Sequence, residues 1–351
     1  MNYDLNSLLR ENIKRLVPYS SARDEYKGKE GVFLDANENS FGSPLPAAFN
    51  RYPDPLQMIL KQKIAESKDL DVSQIFLGNG SDEAIDILFR AFCKPGIDNV
   101  IICPPTYGMY EVSANINDVK VIKVPLQSEN FQPDIPAILT AIDTNTKLIF
   151  FCCPNNPTGT SVKWADIKEV IMAFNGIVVI DEAYIDFAGY KSLIPELKKN
   201  PNMILLQTLS KAWGLAGLRI GMAFAAKEII DVFNKIKPPY NINSSSQQLA
   251  VSALENAAEV NQWVEKIKTE RDLLKNSLNE LSFVLKVYPS EANFLLVKMS
   301  DARKVYDYLA ENKFIVRDRS NVILCEGCLR ITIGTVEQNK QLIFLLKNYK
   351  P

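Results

Sequence analysis

The sequence predicts an α/β fold: a large domain with a mostly parallel sheet flanked by helices, followed by a smaller α+β domain. Three observations carry this expectation. Short apolar runs recur without polar alternation, turn residues follow each run, and between the runs the apolar residues return at helical spacing. The runs are Ile75-Phe76-Leu77, Val100-Ile101-Ile102, Leu148-Ile149-Phe150-Phe151, Ile177-Val178-Val179-Ile180 and Ile204-Leu205-Leu206. A continuous run suits a strand buried on both faces, as in a parallel sheet covered by helices on either side. Asp82 to Phe92 and Lys163 to Phe174 carry the helical pattern between runs.

After Pro238-Pro239 and the polar run Asn241 to Gln247 the texture changes. One long helical pattern from about Gln248 to Leu281 precedes strands at Phe294 to Val297 and Leu329 to Ile333, with helices over Ala302 to Glu311 and Val336 to Asn348. The expected organisation is an N-terminal arm over residues 1–28 that joins the small domain, a large domain over 29–244 and a small C-terminal domain over 245–351.

A chain of 351 residues is long enough for two domains. The formal net charge of −1 gives no basic excess that would point to nucleic acid. Met1 to Leu16 mixes charged and apolar residues, as an amphipathic arm does and a signal peptide does not. No apolar run approaches the roughly 20 residues of a membrane-spanning helix. A soluble, cytoplasmic protein without a membrane partner is expected. The six cysteines include Cys325-Glu326-Gly327-Cys328, a C-x-x-C spacing, but no second pair and no histidine completes a zinc site. They read as free thiols of a reducing compartment, and no metal is expected.

With no histidine in the chain, proton transfer falls to Lys, Tyr, Asp, Glu or Cys. Ligands of open parallel sheets gather beyond the carboxyl ends of the strands, so the candidates are the residues just after the runs. Lys211, in Ser210-Lys211-Ala212-Trp213-Gly214-Leu215-Ala216-Gly217-Leu218-Arg219, lies there, with an arginine eight residues later among glycines. Such a lysine can anchor pyridoxal phosphate (PLP) as a Schiff base and act as nucleophile and general base in one residue.

The other candidates each have a second reading. Asp181 ends one run and could pair with the pyridine nitrogen of PLP, or serve as an N-cap or surface ion-pair partner. Tyr184 could donate to the phenolic oxygen of the ring. Gly78-Asn79-Gly80-Ser81-Asp82 opens a helix, where free amides and the positive helix end suit a phosphate; a glycine turn with a serine cap also accounts for it. Asn156 is a loop residue or an amide donor at the same edge, and Tyr107 stacks on a planar ring or simply packs. Period two sets Arg330 apart from its aliphatic neighbours in Leu329-Arg330-Ile331-Thr332-Ile333. Arg330, and Arg317 after Phe314-Ile315-Val316, could grip an anion or make structural ion pairs.

Taken in order, Asn156-Pro157-Thr158-Gly159, Asp181-Glu182-Ala183-Tyr184 and Ser210-Lys211 with Arg219 resemble the fold-type I PLP-dependent aminotransferases of class II, over nearly the whole chain. The finer similarity is to the histidinol-phosphate aminotransferase family. Pro18-Tyr19-Ser20-Ser21-Ala22-Arg23, Leu34-Asp35-Ala36-Asn37-Glu38-Asn39, Arg51-Tyr52-Pro53-Asp54-Pro55, Pro104-Pro105-Thr106-Tyr107-Gly108-Met109-Tyr110 and Gly327-Cys328-Leu329-Arg330 carry it. The resemblance implies reversible amino transfer between L-glutamate and imidazole acetol phosphate, giving 2-oxoglutarate and L-histidinol phosphate, in histidine biosynthesis.

Position by position, the resemblance implies that Lys211 carries PLP, Asp181 pairs with the ring nitrogen, Tyr184 and Asn156 contact the ring oxygen, and Tyr107 stacks on the ring. Ser81, Asp82, Thr208, Ser210 and Arg219 would hold the cofactor phosphate, joined by Tyr52 from the other subunit of a homodimer. Arg330 and Arg317 would bind substrate anions, and Tyr19 and Asn37 would line the substrate pocket. The chain reads Gly80-Ser81-Asp82 where the family often has Gly-Ala-Asp, which adds a hydroxyl donor. Trp213 has no role in this scheme. Threonine-phosphate decarboxylases and aromatic amino-acid aminotransferases share much of the pattern, and a PLP-binding regulator without the reaction is a further class.

Overall fold

The continuous apolar runs form four inner strands and one edge strand of one sheet, and alternate side chains along each strand enter different cores. The computed structural model describes residues 3–19, 31–45 and 49–350. Ser20 to Arg23 of the N-terminal motif, and the expected arm boundary at residue 28, lie outside them.

Helices α1 (Leu5–Leu8) and α2 (Glu11–Arg15) precede α3 (Met58–Lys68) and β1 (Ile75–Asn79). Then come α4 (Ser81–Phe92), β2 (Asn99–Ile102), α5 (Met109–Ile116), β3 (Lys120–Lys123), α6 (Ile135–Ala141) and β4 (Thr146–Cys152). They are followed by α7 (Trp164–Ala173), β5 (Ile177–Asp181), β6 (Met203–Thr208), β7 (Ile220–Phe224) and α8 (Lys227–Ile236). The seven strands lie in the order β1-β7-β6-β5-β4-β2-β3. All neighbours pair in parallel except across β7, which runs antiparallel to both β1 and β6.

Period two explains why the runs are apolar throughout. Phe150, Val179 and Ile204 join residues of α4 and α8 in a core on one face. Their chain neighbours Ile149, Val178 and Leu205 join α3, α6 and α7 on the other. Strand β7 was not expected, because Gly221 interrupts its short apolar run. That glycine is required: a Cβ there would lie 2.0 Å from the backbone nitrogen of Ser81. It lets β7 pass against the start of α4.

The chain continues with α9 (Ser244–Leu254), α10 (Ala257–Asn279), β8 (Val284–Val287), β9 (Phe294–Met299), α11 (Ala302–Glu311), β10 (Arg317–Asp318), β11 (Cys328–Thr332) and α12 (Val336–Asn348). Its four strands form an antiparallel sheet ordered β10-β11-β9-β8. The single helix expected over Gln248 to Leu281 is two. The Asn243 side chain accepts the Ser246 N–H and starts α9 earlier, and the chain breaks at Glu255-Asn256. The two halves serve different partners, since α9 packs on α3 while α10 packs on β8 and α12.

A further cluster joins the two sheets. Tyr184 and Phe187 beyond β5, and Ala212 beyond β6, pack with Val260 and Val264 of α10 and Phe294 of β9. This cluster lies at the carboxyl edge of the parallel strands, beside Lys211. Substituting Gly221→Ala should lower stability by roughly 3 kcal/mol, as overpacking against backbone does. A chemical-denaturation midpoint equal to the parent's would contradict the close approach described here.

Candidate active site

Beyond the carboxyl ends of β2, β4, β5 and β6, and beside the start of α4, lies a cavity of about 950 Å³. That is the volume of a small-molecule site rather than a crevice between side chains. Twelve of the residues expected at the site line it: Ser81, Asp82, Tyr107, Asn156, Asp181, Tyr184, Thr208, Ser210, Lys211, Arg219, Arg317 and Arg330. Tyr19, Asn37 and Tyr52 do not line the cavity of their own chain. Tyr19 is 74% exposed, and Tyr52 stacks on Tyr240 with ring centroids 4.5 Å apart.

Asp181 ends β5 and is buried at the cavity floor. The hydroxyl of Tyr110 donates to its Oδ2 at 2.7 Å, and the Ala183 N–H donates to Oδ1 at 3.0 Å. Burial is the larger influence, and it raises the carboxyl from its usual 3.8 to about 6. Among the described residues it forms no ion pair with a cation. Lys211 follows β6 and opens into the cavity, with Nζ 5.6 Å from the Tyr184 ring centroid. Desolvation, and then the nearby Arg330, lower its ammonium below the ordinary lysine value. A lowered lysine holds its free amine, the form that acts as nucleophile or base, at lower pH.

The other end of the floor is a cradle. Gly80, at φ +71°, turns the chain from β1 into α4, whose first-turn amides have no partner within the helix. A Cβ on Gly80 would lie 2.5 Å from Arg219 Nη2, so the guanidinium rests directly against the glycine. Arg219 sits just before antiparallel β7, which is how it reaches the edge where the parallel strands end. Thr208 and Ser210 add hydroxyls 3.0 Å apart. The Asp82 carboxylate accepts from Tyr107 at 3.0 Å and lies 3.4 Å from Arg219. Its side chain is therefore engaged, and what Asp82 offers an anion is its backbone N–H.

The small sheet supplies the remaining wall. Arg330 Nη1 donates to Asn156 Oδ1 at 2.5 Å, which leaves the Asn156 amide nitrogen to donate elsewhere. The Arg330 guanidinium lies 5.3 Å from the Phe294 ring centroid. A buried acid without a cation, an amine of lowered basicity and a cradle of amides with an arginine stand together at one sheet edge.

Known proteins place this arrangement. Residues 44–344 match the aminotransferase class I and II family. The chain belongs to that family. A histidinol-phosphate aminotransferase of Cytophaga hutchinsonii is 56% identical over 99% of this chain and 100% of its own, and one of Parabacteroides distasonis is 54% identical over 99% of each. Among solved structures, the histidinol-phosphate aminotransferase of Clostridium acetobutylicum superposes with a TM-score of 0.79 at 26% identity, covering 86% of this chain and 90% of that one. Within the aminotransferases, the chain belongs with the histidinol-phosphate members.

Two residues at this cavity were not singled out from the sequence. Tyr110 is fully buried, stacked on Phe150 at 4.7 Å and edge-on to Tyr107 at 5.6 Å, and it holds Asp181. Its signal was its place three residues after Tyr107, in the first turn of α5. Arg319 also lines the cavity, and its signal was its spacing of two from Arg317.

The folded-state pKa of Asp181 exceeds its unfolded value, so its ionisation costs stability as pH rises from about 4 through about 6. In cofactor-free protein, Asp181→Asn should raise stability by about 1–3 kcal/mol at neutral pH, and the gain should vanish below about pH 4. Denaturation curves of both proteins across this range check the sign.

Proposed function

We infer that the protein catalyses reversible transfer of an amino group between L-glutamate and imidazole acetol phosphate, giving 2-oxoglutarate and L-histidinol phosphate, with PLP held at Lys211. The observation that carries this reading is Lys211 and the unpaired, buried Asp181 facing one cavity whose far side is lined by arginines.

The residues fit the cofactor. Asp181 lacks a cation that a pyridinium supplies, and the Gly80 turn leaves room for the anion-binding Arg219 guanidinium where a side chain would block it. When bound, PLP supplies the aldehyde that carries the amino group between donor and acceptor, and a ring that draws electrons from the reacting carbon. Lys211 Nζ takes the proton from the α-carbon of the donor and, in the reverse direction, returns one to the α-carbon of the acceptor. Positioned proton transfer of this kind contributes about 10²–10⁴ in rate. Asp181, oriented by Tyr110, keeps a proton on the ring nitrogen. Tyr184 and Asn156 would donate toward the ring oxygen, Tyr107 would cover the ring face, and the amides of Ser81 and Asp82, with Thr208, Ser210 and Arg219, would bind the phosphate. Arg330 and Arg317 bind the anions of the substrates.

The protein acts as a homodimer in this reading. Val32, Leu34, Phe41, Phe49 and Leu56 lie exposed along the segment that carries Tyr52, and a second copy would cover such a patch. Tyr52 then reaches the cofactor phosphate of the partner.

The deciding experiment mixes the PLP form separately with histidinol phosphate, threonine phosphate, phenylalanine and glutamate. Visible-spectrum changes with histidinol phosphate and glutamate alone are expected. Release of CO₂ from threonine phosphate, or conversion of phenylalanine, would move the protein to another branch of the fold. Lys211→Ala should lose turnover by at least about 10³-fold and lack the visible band of the lysine-linked cofactor. Arg330→Ala should raise KM for glutamate and histidinol phosphate together, each by about tenfold or more. Steady-state kinetics of both half-reactions test this, and an unchanged KM for both would leave Arg330 a structural role only.

A further inference from the structure

Arg317 and Arg330 stand directly opposite each other in the β10–β11 register, so their side chains share one face of the small sheet. The N–H of Arg319 donates to Cys328 O at 2.9 Å, which carries the register one step beyond β10. Period two then puts Arg319 on the same face, and all three arginines line the cavity. Like charges set across a strand pair repel. Among the described residues, none of the three makes an ion pair with a carboxylate. Arg330 is held by Asn156, yet the Nε atoms of both Arg319 and Arg330 are buried without a hydrogen-bond partner. Burial, followed by Arg330 and Arg317, depresses the Arg319 guanidinium below the ordinary arginine value. Three converging cations, two of them with buried unmet donors, call for an anion of more than one charge.

We propose that Arg319 is the group that makes the site favour a phosphate monoester over a carboxylate on the same branch of the substrate. The proposal rests on the substrate reading given above. In glutamate the reacting carbon bears a carboxylate with one charge. In histidinol phosphate the corresponding branch is a CH₂–O–phosphate, whose anionic oxygens lie farther from the reacting carbon and carry about 1.5 to 2 charges at neutral pH. Arg330 influences Lys211 directly and is fixed by Asn156, so it serves the nearer oxygens of either substrate. Arg319 follows β10 on the same face, beside Asn321 and Val322 of the cavity wall, and it meets the extra reach and charge of the ester. Its planar fork fits a phosphate with two parallel hydrogen bonds.

The test uses holoenzyme of the parent, R319Q and R319K, measuring kcat/KM separately for L-histidinol phosphate and L-glutamate. The ratio of the two should fall on the order of 10- to 100-fold in R319Q, the loss of one or two charge-assisted contacts. R319K keeps the charge without the fork, so its ratio should lie between the other two; it also decides the matter if R319Q does not fold. A ratio equal to the parent's in both variants overturns the proposal, including the case where both substrates lose equally, as a structural role would produce. A parent enzyme that converts glutamate but not histidinol phosphate would overturn the substrate reading itself, and this proposal with it.

Discussion

The site is organised around a carboxylate that the protein buries without giving it a cation. Asp181 keeps two hydrogen bonds, from Tyr110 and the Ala183 amide, and these offset only part of its desolvation. At the other wall the arrangement is reversed, with arginines gathered on one sheet face and no carboxylate paired to them among the described residues. Each half is unfavourable alone. In the proposed function a cationic ring nitrogen at the floor and substrate anions at the wall would complete both, so that stability given up by the fold returns as binding.

Chain direction delivers the parts to one edge. Five parallel strands, β1, β2, β4, β5 and β6, end there and present the residues that follow them, while antiparallel β7 begins there and brings Arg219 from the opposite sense. The two glycines at 80 and 221 allow the start of α4, β7 and the Arg219 guanidinium to share a space that side chains would fill. The apolar cluster of Tyr184, Ala212, Val264 and Phe294 then ties the small sheet to this edge. It fixes the separation between Lys211 on one sheet and Arg330 on the other.

Much of this was legible because burial on both faces leaves continuous apolar runs, and function in such sheets follows the strand ends. Lys211, Asp181 and Asn156 could be found by that rule. Arg219 could not, since it precedes its strand; only its spacing from the lysine, through the family resemblance, marked it. Strand β7 was hidden by Gly221, whose reason is a contact distant in sequence. The break between α9 and α10 was hidden because apolar spacing continues through it while the packing partners change. Tyr110 lacked a signal for a different reason: a buried tyrosine reads as core until the acid at its hydroxyl is known.

In the proposed function the cavity handles protons with an amine and hydroxyls, and the 351-residue chain contains no histidine. For a catalyst of histidine biosynthesis this has a cellular consequence. Ribosomes short of histidyl-tRNA meet no histidine codon in making these residues, so their translation does not wait on the amino acid whose shortage the enzyme relieves.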